Sequence, residues 1–100
     1  MQAYKIWEGT RTWLPRDKGY KVTEIVAEEL GMLEDPDQEG TSGRTYYIYR
    51  TAEGEIIIHL VRWSSVLGDP HYGSIFRFSS LEEAAQNEEL NQALKLMRLI

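Results

Sequence analysis

Between Arg44 and Ser79 apolar side chains gather in three short runs separated by polar, glycine-containing stretches. Residues 46–51 and 56–63 are rich in aromatic and β-branched side chains, which suit a pleated, half-buried surface. Ala52-Glu53-Gly54-Glu55 lies between them, and Gly54 can supply the positive φ that a tight hairpin turn needs. A third run, residues 74–79, returns after the loop 66–73. The pattern predicts an antiparallel meander of three strands.

A two-residue turn at Glu53-Gly54 sets a register with Tyr49 opposite Ile58, Tyr47 opposite Leu60 and Ile48 opposite His59. One face then holds Tyr47, Tyr49, Ile56, Ile58 and Leu60, joined by Phe76 and Phe78, and is the expected core face. The other holds Tyr46, Ile48, Arg50, Ile57, His59, Val61 and Trp63, with Ile75 and Arg77. Too apolar for a plain solvated surface, that second face is either covered by the N-terminal segment or used for binding.

The flanking segments extend this plan. Residues 3–14 read as a small hairpin turning at Glu8-Gly9, or as one long strand with a bulge at Gly9, and Pro15 stops pairing. Residues 23–30 read as a short helix, with Thr23 as N-cap, Ile25, Val26 and Leu30 as its stripe and Gly31 as its stop. Residues 34–44 are a loop by composition. Ser80-Leu81-Glu82-Glu83 forms a capping box, and Asn87 before Glu88 and Glu89 looks like a second cap, so two helices over 81–86 and 88–98 are expected. The fold class that follows is α+β, a single domain over residues 1–100. It comprises an antiparallel β-meander, an N-terminal strand or hairpin, one short helix and a C-terminal helical segment packed on one sheet face. Leu96, Leu99 and Ile100 widen the last stripe beyond what one face needs, which points to a homo-oligomer through the C-terminal helix.

Composition narrows the function classes. A hydrophobic fraction of 42% marks a folding chain, and the absence of cysteine removes disulfides, thiolate metal sites and a cysteine nucleophile. No apolar run approaches the roughly 20 residues of a membrane-spanning helix, and the N-terminus lacks the apolar core of a signal peptide, so a cytoplasmic protein is expected. The net charge of −5 is unevenly spread. Lys5, Arg11, Arg16, Lys18 and Lys21 against Glu8 and Asp17 leave residues 1–21 at +3, whereas residues 22–43 carry only acids and reach −7. That balance disfavours nucleic acid, whose phosphates are gripped by Lys and Arg.

Asp35-x-Asp37-x-Glu39-Gly40 resembles the first half of an EF-hand calcium loop. Pro36 and the Tyr46 at the closing position depart from that pattern, so no metal site follows from it. The stretch reads instead as a solvated acidic loop, or as a docking patch for a basic partner. The order of elements over residues 23–98 resembles a double-stranded-RNA-binding domain. However, Ser80-Leu81-Glu82-Glu83 stands where that family's lysines grip phosphate. GSIFRFSSLEEAA likewise resembles part of an RNA-recognition motif, with Gly73 and Ile75 where stacking aromatics belong.

His59 and His71 are the two histidines. With Ser64 and Asp69 they assemble no nucleophile elbow, and no phosphate-cradling glycine motif or metal-ligand spacing is present, so neither an enzyme nor a cofactor is read here. The leading reading is a small acidic protein-interaction module (inhibitor, adaptor or antitoxin-like) that occludes a partner's surface. Aromatic and arginine side chains dominate such contacts, which selects Tyr46, Arg50, His59, Trp63, His71 and Tyr72. The alternative is a small-ligand or nucleotide-binding protein that sandwiches a base or sugar with Trp7, Arg11, Trp13 and Arg77.

Overall fold

The computed structural model describes residues 1–12 and 19–100. Five strands, β1 Gln2–Arg11, β2 Tyr20–Pro36, β3 Ser42–Arg50, β4 Ile56–Ser64 and β5 His71–Phe78, are followed by helices α1 Leu81–Ala84 and α2 Glu88–Leu96. The class is α+β. All neighbouring strands are antiparallel, and the sheet closes on itself as a barrel in the order β1-β2-β3-β4-β5, with β1 returning to β5. The expected meander is its β3–β5 portion, and the helical segment covers one outer face.

Residues 23–30, expected as a helix, are the centre of β2. Val22, Thr23, Ile25 and Val26 are β-branched, and side chains alternate, with Ile25 and Ala27 buried between exposed Glu24, Val26 and Glu28. Ladder pairing, with β1 and then with β3, outweighs the helical preference of Glu, Ala and Leu in this stretch. The first half of β2 pairs with β1 and the second half with β3, so one long strand carries the sheet around the barrel. The register shifts between Glu29 and Gly31, a bulge of the kind that bends a strand at a barrel corner.

β1 makes a similar transfer. Residues 2–9 pair with β2 and residues 9–11 with β5, and the exchange falls at Gly9, whose φ is +113°. A side chain there would also meet the Gly19 carbonyl and Tyr20, so only glycine fits. The single strand with a kink at Gly9 is therefore the correct reading of the N-terminal segment, up to Arg11.

The β3–β4 hairpin corrects the expected register by one residue. Thr51 N–H donates to the Glu55 carbonyl at 2.9 Å and Gly54 N–H to the Thr51 carbonyl at 3.0 Å, with Gly54 at φ +87°. The loop is thus Ala52-Glu53-Gly54, a three-residue turn ending in a left-handed glycine, in place of a two-residue turn. Tyr49 now faces Ile57, Tyr47 faces His59 and Ile48 faces Ile58. A slip of one residue moves every side chain of β3 to the opposite face.

Two separate cores result. Tyr46, Ile48, Ile56, Ile58 and Leu60 lie against Ala84, Leu90, Ala93 and Leu94 of the helices, with Phe76 and Phe78 at the margin. Inside the barrel Ile6, Ile25, Ala27, Tyr49 and Ile57 pack together, with Tyr4, Tyr47 and Ile75 around them. Burial there pushes the Tyr49 hydroxyl pKa up to about 12. Fully burying side chains such as these contributes about 1.5–3 kcal/mol each, so both layers are needed in a chain of this size.

The helices start where the sequence places them. Ser80 caps α1 by accepting from Glu83 N–H, the Glu83 carboxylate reaches back to Ser79, and Asn87 caps α2 through Leu90 N–H at 3.2 Å. Among the described residues no helix is long and apolar enough to cross a membrane.

Candidate functional site

Where β2 ends and β5 begins, side chains from four strands share one rung of the sheet. Asp35 is opposite Arg44, Arg44 opposite Arg62, and Arg62 opposite Tyr72. Two arginines directly opposite one another repel, and the fold relieves this from outside the sheet. Glu89, in the first turn of α2, brings one carboxylate oxygen to 3.4 Å from Arg44 and 3.4 Å from Arg62. The Tyr46 hydroxyl donates to the same oxygen at 3.5 Å. The Tyr46 hydroxyl and the Glu89 carboxylate together hold the Arg44 guanidinium above its ordinary pKa. The Asn87 cap and the positive end of α2 favour an acid at this position, so the helix terminus delivers Glu89 to the pair.

Beside this rung lies an open groove of about 630 Å³. Its aromatic lining is Trp63 and Tyr72, its prolines are Pro36 and Pro70, and its charged groups are Asp35, Asp37, Asp69, Arg44 and Arg62. Trp63 lies across Gly43, where a Cβ would come within 2.9 Å of the indole and 2.7 Å of the Asp35 carbonyl. Gly43 therefore lets β2, β3 and the indole approach as closely as they do.

The two loops that flank the groove are tied together. Ser65 N–H and its hydroxyl both donate to the Thr41 carbonyl, at 2.7 and 2.9 Å. Ser64 Oγ donates to Asp69 at 2.9 Å, and His71 Nε2 lies 3.0 Å from the Ser64 carbonyl. In the other loop Asp37 accepts from Thr41 N–H at 3.1 Å and from Ser42 Oγ at 2.9 Å. The Ser42 hydroxyl bond holds the Asp37 carboxyl below its ordinary pKa. Asp37 thus serves as the internal clasp of the β2–β3 turn, the local role that Asp side chains take in turns. Among the described residues no group of three or more His, Asp or Glu is arranged to hold a metal ion. Val66 and Leu67 project from the β4–β5 loop, Leu67 being 87% exposed, and Tyr72 is 48% exposed.

The six residues expected to form one contact face are not on one face. Tyr46 is 3% exposed beneath α2, and His59 is 4% exposed inside the barrel, where its Nε2 accepts the Trp7 N–H at 3.4 Å. Tyr47 stacks on His59, and burial holds the imidazole below the usual histidine range. Arg50 is exposed at the far end of β3, beside the hairpin. Of the six, Trp63 and Tyr72 both line the groove, and His71 braces its edge. The register shift is the physical reason: it sends Tyr46 and His59 to opposite sides of the barrel wall.

The alternative set is also divided. Arg11 sits over the rings of Trp7, at 5.4 Å, and Tyr20, at 4.8 Å, so the chain's own cation occupies those faces. The Trp7 edge is taken up by His59 and by Gly73, whose lack of a side chain makes room for the indole. Arg77 pairs with Glu55 at 3.0 Å, toward the opposite end of β5. Trp13 lies outside the described residues. Sequence reasoning did not single out Asp35, Arg44, Arg62 or Glu89 as a group. The available signal was the three-residue turn: ending it at Gly54 puts Arg44 opposite Arg62 by counting alone.

Comparison with protein-family models, curated proteins and solved structures finds no match to this chain.

Proposed function

We propose that this protein is a small protein-interaction module that acts by laying the Trp63–Tyr72 groove and the adjoining β4–β5 loop on a partner. The observation that carries the reading is the gathering of Trp63, Tyr72 and Pro70 beside two arginines at one end of the barrel, with Leu67 exposed in the adjoining β4–β5 loop. Aromatic and arginine side chains next to a rigid scaffold are the usual anchors of protein contacts. The β-ladder fixes the Trp63 and Tyr72 backbones, so little conformational freedom is lost on binding. Inhibition or adaptation by occlusion is the form of action that this geometry suits, because the groove is open and lies over an ordered sheet.

The test is a pull-down from the native host's lysate with the wild-type chain and with Tyr72→Ala and Leu67→Ser. Both positions are exposed, so the variants keep the wild-type circular dichroism. The expected result is one protein retained in stoichiometric amount by the wild type and lost by both variants. Retention that neither substitution reduces would refute the assignment of this surface.

A further inference from the structure

The groove's charges name the chemistry of what it takes. Asp35, Asp37 and Asp69 line it, and its two cations, Arg44 and Arg62, share the one carboxylate of Glu89, so four acids stand against two bases. The adjoining hairpin adds Glu34 and Glu39 within a stretch that carries no basic residue between Val22 and Gly43. The field over the groove is therefore negative, and it attracts cations and repels phosphates or acidic peptides. Four strands contribute to the rung from Asp35 to Tyr72, so it spans about 14 Å at the spacing of neighbouring strands. An extended chain covers that distance in four or five residues, at about 3.3 Å each. Trp63 and Tyr72 suit the apolar stems and charged heads of arginine and lysine, while the three aspartates supply acceptors at the rim.

We propose that the occupant of the groove is an extended segment of a partner protein that carries arginine or lysine, held by aromatic contact with Trp63 and Tyr72 and by the carboxylates of Asp35 and Asp69. This rests on the interaction reading above and adds the partner's chemistry. A second copy of the chain is the competing occupant, through its own +3 segment at residues 1–21.

The experiment is selection of a phage-displayed library of random dodecamers on the full chain, with counter-selection on Tyr72→Ala. Enriched sequences are then synthesised and titrated at two salt concentrations. The inference expects a marked excess of Lys and Arg in those sequences, with binding that weakens as salt rises. Asp35→Asn/Asp69→Asn should weaken them about fivefold, on the scale of two exposed charge contacts. Asp35→Asn alone, at an exposed position outside the Ser64–Asp69 hydrogen bond, provides the same comparison if the double variant is unstable. Neutral or acidic sequences that still require Tyr72 would overturn the charge assignment and leave the interaction reading standing. Failure to enrich any Tyr72-dependent sequence would remove both. A wild-type chain that sediments as a dimer, and becomes monomeric in Asp35→Asn, would assign the groove to a second copy and overturn the proposal.

Discussion

Substituting Gly73 by alanine attacks the point where the barrel closes. A Cβ on residue 73 would lie 2.5 Å from Trp7 Cε3, 2.6 Å from Cζ3 and 2.7 Å from the Trp7 carbonyl oxygen. Carbon atoms rest at about 3.5–4.0 Å, so the neighbours must move by about 1 Å. The indole has little room to yield, because it is held edge-on to Tyr20 and His59 and covered by Arg11. The carbonyl can retreat only by parting β1 from β5, whose pairing consists of Gly9–Gly73, Thr10–Tyr72 and Arg11–His71. Overpacking of this kind costs about 1–3 kcal/mol, and a lost ladder hydrogen bond adds about 1 kcal/mol. A total near 2–4 kcal/mol lowers Tm by about 8–30 °C in a domain of this size. The assay is urea unfolding of wild type, Gly73→Ala, Trp7→Ala and the double variant as a thermodynamic cycle. Removing the ring relieves the two indole contacts and leaves the carbonyl one, so the added methyl should cost distinctly less, giving a coupling above about 1 kcal/mol. Additive losses, or an alanine variant as stable as wild type, would refute the closure described for β1 and β5.

Two further outcomes follow from the geometry. Burial keeps His59 neutral and its pKa below the ordinary value, so the unfolded chain binds the extra proton first as pH falls below about 6.5. Stability should then decline with falling pH until the lowered folded value is reached, by at most about 1.4 kcal/mol per pH unit. His59→Asn, followed by urea unfolding between pH 7.5 and 5, should lose that slope; an unchanged slope contradicts the buried neutral ring. Glu89→Gln leaves Arg44 and Arg62 facing each other without their shared anion. Because both guanidiniums are nearly half exposed, the loss should be about 1 kcal/mol, and added salt should restore part of it by screening the arginines. A variant insensitive to salt would mean that the two arginines do not meet.

Much of the architecture was written in local chemistry. Ser80 and Asn87 announced their helices because capping depends on residues within four positions of one another. Ile56, Ile58 and Leu60 announced one shared face, and Phe76 and Phe78 another, because alternation within a strand does not depend on its register. What escaped depends on distant pairing. The stretch from Thr23 to Leu30 carries a helical spacing and a helical cap, and only β1 and β3 on either side make it a strand. The hairpin carried its own register in Gly54, but a two-residue and a three-residue turn use the same glycine and differ by one position. That difference decided the site. It put Tyr46 and His59 on opposite faces and brought Arg44 opposite Arg62, which β5 pairs with Tyr72, leaving Trp63 and Tyr72 as the legible part of the groove.

Hydrogen–deuterium exchange of the chain, alone and with the captured partner, tests the central assignment most directly. Protection should appear in the peptides spanning residues 35–44 and 62–72, while β1 and α2 exchange as in the free protein. Protection confined to residues 1–12 or 88–100, with the groove exchanging freely, would contradict it.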